Sequence, residues 1–274
     1  MRHETLWCLD IETVPDGDLV PADWPSDQFI AKAIWHRVVA ISVVEASVEH
    51  VPGRGERYEV RCCRSGGEAG WDERRLLQAF WKRFAELRPR IVSWNGRRFD
   101  LPTLRLRAMM YGISAEAWYA TGDRWHGYTH RYSSEWHCDL MEELADHGAA
   151  TRLGMQDVAV AMGLPGKVGG HGSEVAEMVA RGDLEAVRAY CEGDVLNLFA
   201  LYARWALLTG LTDGAGHNAA MDSLASCLAA SRAERPHLGA FLDRWQSSPR
   251  PAPALVPLPK PGLAGSGLER STQG

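Results

Sequence analysis

Apolar positions recur along this chain with two periods, and the switches between them mark its elements. Residues 5–11 (TLWCLDI) form a short apolar run that reads as a strand. Residues 38–44 (VVAISVV) are apolar and β-branched, the composition of a buried strand. Residues 58–63 predict a third strand, and Gly66-Gly67 a turn after it. Over 71–87 the period changes: Leu76, Leu77, Phe80, Phe84 and Leu87 fall on one face of an amphipathic helix. A short strand at 91–94 is broken by Asn95-Gly96. A helix follows over 101–111, with Pro102 in its first turn, where a missing N–H has no partner to lose.

Residues 112–137 show no sustained period and are rich in aromatics. Helices are expected at about 155–163, 173–181 and 183–209, with the glycine-rich stretch 163–172 as a loop among them. A last helical segment spans about 216–245, interrupted near Pro236. Six prolines between 249 and 261 make 247–274 a disordered tail. Three strands, a helix, a strand, a helix and a helical end imply an α/β fold with a mixed central sheet and flanking helices, the first three strands forming a meander. The expected organisation is a domain over 1–212, a helical extension over 213–246, and the tail.

Composition narrows the class. With 274 residues, 46% of them hydrophobic, the chain suits one sizeable domain with an appendage. Six cysteines, at 8, 62, 63, 138, 191 and 227, make no CxxC pair, so no zinc knuckle or redox motif is indicated. Cys8 and Cys191 sit in apolar segments and read as reduced core residues. The N-terminus runs straight into a strand and no apolar stretch is long enough to span a bilayer, so a soluble, cytoplasmic protein without a signal peptide is expected. A net charge of −5 argues against a non-catalytic DNA binder, which would be basic. It does not argue against a metal-dependent nuclease, whose acidic centre binds the cations that meet the phosphate. Lysine occurs only at 32, 82, 167 and 260; the other basic residues are arginine, through either coding bias or a use for bidentate phosphate contacts.

The candidate chemistry begins at Asp10-Ile11-Glu12. Side chains at i and i+2 of a strand share a face, so the two carboxylates point the same way. At ~4 Å they repel by about 4 kcal/mol at an effective dielectric near 20, and a divalent cation reverses that sign. Asp100, in WNGRRFDLP, follows a strand and opens a helix; it is either an N-cap or a second acidic centre. In YCEGDV, Tyr190 and Asp194 are i and i+4 on one helix face, either a surface acid beside a half-buried Tyr or a third centre. Gly193 inside that helix costs roughly 1 kcal/mol relative to Ala and suggests a close approach to the backbone.

Taken in order, Asp-x-Glu on a first strand, Asn-Gly-x-x-Phe-Asp after a later strand and Tyr-x-x-x-Asp on a late helix form a specific set. It resembles the DEDD superfamily of 3′→5′ exonucleases, in the subgroup with Tyr in the third motif. Within it, NGRRFDLPTLRLR (95–107), YCEGD (190–194) and GLPGK (163–167) are most similar to stand-alone proteins related to the proofreading domain of family B DNA polymerases. The resemblance covers about 4–210, and no polymerase domain follows. It implies a ribonuclease H-like fold, two divalent cations (Mg²⁺ or Mn²⁺) and release of nucleoside 5′-monophosphates from single-stranded DNA or RNA 3′ ends. Asp10 would bridge both cations, Glu12 and Asp194 would complete one site, Asp100 would serve the other, and Tyr190 would orient the attacking water. The alternatives are a catalytically weak or inactive nucleic-acid-binding protein of the same fold, and an exoribonuclease.

Further candidates carry two readings each. Asn95 is a substrate contact or a turn residue. Phe99 stacks on terminal nucleotides or packs in the core. Arg97, Arg98, Arg105 and Arg107 hold phosphates or are solvated helix residues. Asp139 is an accessory carboxylate or the start of a D-x-x-E capping box. The aromatics of 118–136 stack on bases or pack a loop. Lys167 lacks the context of a P-loop but can reach a phosphate from its glycine-rich loop.

Overall fold

The computed structural model describes residues 3–25, 32–68, 70–167, 174–248 and 256. β1 (Thr5–Pro15) lies at the centre of a five-stranded sheet. The hairpin of β2 (His36–Val51) and β3 (Gly55–Ser65) flanks it on one side, and β4 (Arg90–Ser93) and β5 (His137–Asp139) flank it on the other. The order β3-β2-β1-β4-β5, with β2 antiparallel to both neighbours and β1, β4 and β5 parallel, is a mixed, ribonuclease H-like sheet. The expected α/β class and leading meander are both present.

Helices cover the sheet in chain order: α1 (Glu73–Leu87), α2 (Asp100–Met110), α3 (Glu116–Ala120), α4 (Leu140–Leu144), α5 (Met155–Ala161), α6 (Val175–Ala180), α7 (Leu184–Leu208), α8 (Gly214–Ser231) and α9 (Pro236–Gln246). The alternation of β1 decides which helix sits on which face. Trp7, Leu9 and Ile11 pack with Leu77, Phe80 and Phe84 of α1 and with Leu101 and Leu104 of α2. Leu6 and Cys8 face the other way, into a core with Val195 and Phe199 of α7. Each such large side chain, fully buried, contributes about 1.5–3 kcal/mol. Asp10 and Glu12 continue the α7 face beyond the point where its apolar filling ends.

The strands run longer than the apolar runs that announced them. β2 continues past Val44 because Glu45, Ala46, Ser47 and Val48 alternate polar and apolar, a half-buried pattern, and its partner β3 is covered by α8. The Val60 amide donates to Ser223 Oγ of α8 at 2.8 Å. The stretch expected to be irregular contains α3 and leads into β5 and α4; elements of three to five residues are too short to show a period. Pro236 stands at the start of α9, where the interruption was expected. Apart from residue 256, the Pro-rich stretch from 249 on lies outside the described residues; the Val256 backbone exchanges hydrogen bonds of 2.8 and 3.0 Å with the Asn218 side-chain amide.

Three charged networks are built into the core. Arg90 pairs with Glu56 at 2.6 Å and donates to the Tyr202 hydroxyl at 2.9 Å. Arg107 pairs with Glu73 and with Asp16. Glu192, on α7, accepts from Ser65 Oγ at 2.7 Å and bonds Arg235 and, at 2.7 Å, His237. Among the described residues no helix is long and apolar enough to cross a membrane.

Candidate active site

Three elements deliver acids to one cleft. Asp10 and Glu12 lie on β1, and the register of β1 against β2 shifts immediately after Glu12. Such a bulge adds local twist and re-aims side chains next to it. Asp100 enters from the start of α2 and is buried. It is not the helix cap, a position held by Phe99; its Oδ1 accepts instead from the Ile11 amide at 3.2 Å, joining α2 to β1 between the two acids. Asp194 and Tyr190 come from one face of α7, as their spacing requires.

Two further residues complete the cluster. Lys167 Nζ donates to the Tyr190 hydroxyl at 2.8 Å and lies over its ring. Lys167 and the Tyr190 hydroxyl both lie close enough to the Asp194 carboxyl to lower its pKa. Cys191, read from sequence as a core residue, is buried, but its thiol also donates to Asp10 Oδ2 at 3.5 Å. Ligand atoms of Asp10, Glu12 and Cys191 lie within 4.8 Å of one another. A signal for Cys191 was available in its position next to Tyr190, but an apolar helix context hid it.

The electrostatics are those of a site short of positive charge. Burial, then Asp100, Glu12 and Asp194, push the Asp10 carboxyl well above its usual range. Burial, then Asp194 and Asp100, raise Glu12 to about 8, against the pull of Lys167. Burial raises Asp100 to about 7 and Asp194 to about 6, the latter opposed by Lys167 and the nearby Tyr190 hydroxyl. Glu12 receives no hydrogen bond among the described residues. Four carboxylates close enough to raise one another's pKa values suit a hard divalent cation that takes oxygen ligands.

The other sequence candidates separate. Asn95 is half-buried with left-handed backbone (φ 63°), a conformation Asn tolerates. Its amide and that of Arg97 donate to Asp139 at 2.9 and 2.8 Å, and Asp139 also caps α4 through the Glu142 amide. Asp139 thus does what the capping box implies and pins the 95–97 loop as well. Phe99 is half-buried against the His36 ring at 4.9 Å. Arg107 is placed otherwise than the sequence suggested. It is 1% exposed, and Glu73 and Asp16 occupy its guanidinium, so no surface is left for substrate. Among the described residues Gly193 has open space where a Cβ would be, so the expected close approach is not found. Of the aromatic segment, Trp118, Tyr128 and Trp136 are core, while Trp125 and Tyr132 are exposed.

The rest of the chain points the same way as this cluster. Residues 27–245 match the family described as a predicted 3′-5′ exonuclease related to the exonuclease domain of PolB. The chain belongs to that family. The stretch that matches this PolB-related exonuclease family takes in Asp100, Tyr190 and Asp194, while Asp10 and Glu12 precede it. One solved structure with a match is the family B DNA polymerase from the hyperthermophilic archaeon Pyrobaculum calidifontis, at 18% identity and a TM-score of 0.45. That match covers 84% of this chain and 29% of the polymerase, so the chain spans less than a third of its length. No curated protein matches.

Proposed function

We propose that this protein is a 3′→5′ exonuclease that hydrolyses the terminal phosphodiester of single-stranded nucleic acid, DNA by preference, and releases nucleoside 5′-monophosphates. The observation that carries this reading is the convergence of Asp10, Glu12, Asp100 and Asp194 from three elements, with carboxyl pKa values raised by burial and mutual repulsion. Structural acids at helix caps and on surfaces have no reason to converge. Family membership supports the reaction type; DNA as substrate rests on the relation to PolB.

Asp10, Glu12, Asp100 and Asp194 would hold two divalent cations. Bound there, such cations supply the Lewis acidity that activates water and offsets charge on the leaving 3′ oxygen. The Tyr190 hydroxyl, which accepts from Lys167, would orient that water without adding charge. The Lys167 ammonium adds a positive charge beside the reacting phosphate. Asn95 and Phe99, on the loop leading to Asp100, would meet the terminal nucleotide.

The experiment is nucleotide release from 5′-labelled, matched DNA and RNA strands with Mg²⁺ or Mn²⁺. Laddering from the 3′ end that is abolished in Asp10→Ala is expected, faster on DNA. Strand binding without release under either metal overturns the enzyme reading in favour of a binding protein; faster release from RNA makes it an exoribonuclease.

A further inference from the structure

Beside the loop that carries Asp100 opens a cavity of about 520 Å³ ringed by five arginines: Arg97, Arg98, Arg105, Arg131 and Arg152. Its one acid is Glu142, shared by Arg131 at 2.8 Å and Arg152 at 3.8 Å. Among the described residues Arg97, Arg98 and Arg105 have no ion-paired carboxylate. Arg97 is half-buried and rigid, donating to the carbonyls of His137 at 2.7 Å and His130 at 3.2 Å. Burial lowers its pKa, and the nearby charges of Asp139, Glu142 and Glu143 do not restore it. Behind the arginines, Trp118 Nε1 and His137 Nδ1 are buried without a hydrogen-bond partner among the described residues. In a chain of net charge −5, this is a strong local reversal of sign.

A half-buried guanidinium without a counter-ion is costly unless something outside the chain provides one. Guanidinium forks match the geometry of phosphate oxygens, and several on one wall match more than one phosphate. A base is a poorer occupant, because Trp118 and Tyr128 on the cavity wall are too buried to be stacked on. Tyr132, beside Arg131, is exposed and offers stacking outside the cavity. Arg97 and Arg98 precede Asp100 by three and two residues, so cavity and acidic cleft share one short loop. An enzyme that removes the 3′ nucleotide has all remaining phosphates on the 5′ side of the cut.

We propose that the arginine cavity binds backbone phosphates of the substrate strand on the 5′ side of the linkage being cut, holding single-stranded nucleic acid while its 3′ end lies among the carboxylates. This rests on the exonuclease reading for its polarity, but not for its chemistry.

The test measures binding of 5′-fluorescein-dT₂₀ to the full chain in EDTA by anisotropy, across a salt series. Arg98→Gln/Arg105→Gln is expected to weaken binding about tenfold and to flatten the log K against log salt slope by about 0.7 for each phosphate no longer neutralised. Arg98→Lys/Arg105→Lys keeps the charge and most of the affinity. Arg54→Gln/Arg61→Gln, on the exposed β2–β3 hairpin, binds as the wild type. Unchanged affinity and slope in the Gln variant overturn the proposal, as does absence of strand binding by a folded wild type. So does protection of the wild-type cavity from arginine-directed phenylglyoxal labelling by inorganic phosphate but not by dT₂₀, since the site then takes free phosphate. The readout needs neither metal nor turnover: a chain that binds through the cavity but releases no nucleotide sinks the exonuclease reading alone.

Discussion

Lys167 and Tyr190 are joined by a 2.8 Å hydrogen bond from ammonium to phenol, and both groups act on the Asp194 carboxyl, opposing the rise in its pKa that burial causes. Cation, neutral hydroxyl and acid therefore lie together at the acidic cluster. Burial, then Asp194, Glu12 and Asp10, push the Tyr190 pKa up, so it stays a neutral donor at working pH. Tyr190→Phe removes the hydroxyl and keeps the ring. The expected outcome is a kcat about 10–100-fold lower, the size of effect of one positioned proton-handling group, with KM little changed. Lys167→Met is expected to lower kcat similarly and Lys167→Arg to restore part of it. Steady-state nucleotide release measures both; an unchanged kcat in Tyr190→Phe would remove the tyrosine from the mechanism.

The acidic cluster makes the metal-free protein sensitive to pH in a defined direction. Above pH ~4 the unfolded chain has released its carboxyl protons, while the folded chain still holds those whose pKa is raised. Stability in EDTA therefore declines as pH rises toward about 6 for Asp194, about 7 for Asp100 and about 8 for Glu12, then levels off. Mn²⁺ or Mg²⁺ at pH 8 should restore it. Asp10→Asn should raise the metal-free Tm at pH 8, by about 2–4 °C for each kcal/mol of repulsion relieved, and abolish the response to metal. Scanning calorimetry from pH 5 to 9 decides; a flat metal-free profile counts against the cluster's mutual repulsion.

Gly96 has no room for a side chain. A Cβ there would press on Ser93 Oγ and Cβ, and would lie 3.6 Å from Asp100 Oδ2. Ser93 cannot yield easily, since its hydroxyl is engaged with His137 at 2.8 Å. Gly96→Ala should destabilise the fold by about 1–3 kcal/mol, as overpacking does. It should also lower kcat/KM at least about tenfold, because a small misplacement of a catalytic group is costly. Urea denaturation with parallel kinetics separates the two effects.

Arg107 tests stability without touching the cleft. Replacing it by Met leaves Glu73 and Asp16 facing each other with no cation, a loss of about 3–5 kcal/mol for a broken buried pair. Protein that remains folded at low temperature should keep its KM for strands. A raised KM with unchanged stability would mean that the arginine reaches substrate after all.

What could be read in the sequence was whatever local pattern determines. The four acids and the tyrosine were legible because each sits in a short motif, and in two of these the spacing fixes a shared face: i and i+2 for Asp10 and Glu12, i and i+4 for Tyr190 and Asp194. The place of Asp100 at the start of a helix was legible but its partner was not, because the Ile11 amide is 89 residues away. Arg107 and Arg105 look alike in sequence, two residues apart on one helix; only tertiary packing sends one into the core and leaves the other at the arginine cavity. β5 has three residues and no period, yet it carries Asp139, whose carboxylate takes amides from the 95–97 loop.

Glu192 lies two residues from Tyr190 and two from Asp194, on the opposite side of α7, and its buried charge is met by Arg235 and His237 at the start of α9. The residues proposed for the chemistry end at 194, but the polypeptide that keeps them in place does not. A fragment stopping at 212 would strip the partners from a buried acid inside α7 and bare the β3 surface under α8. The shortest active version of this protein should therefore need to extend through His237, well past its last reactive group.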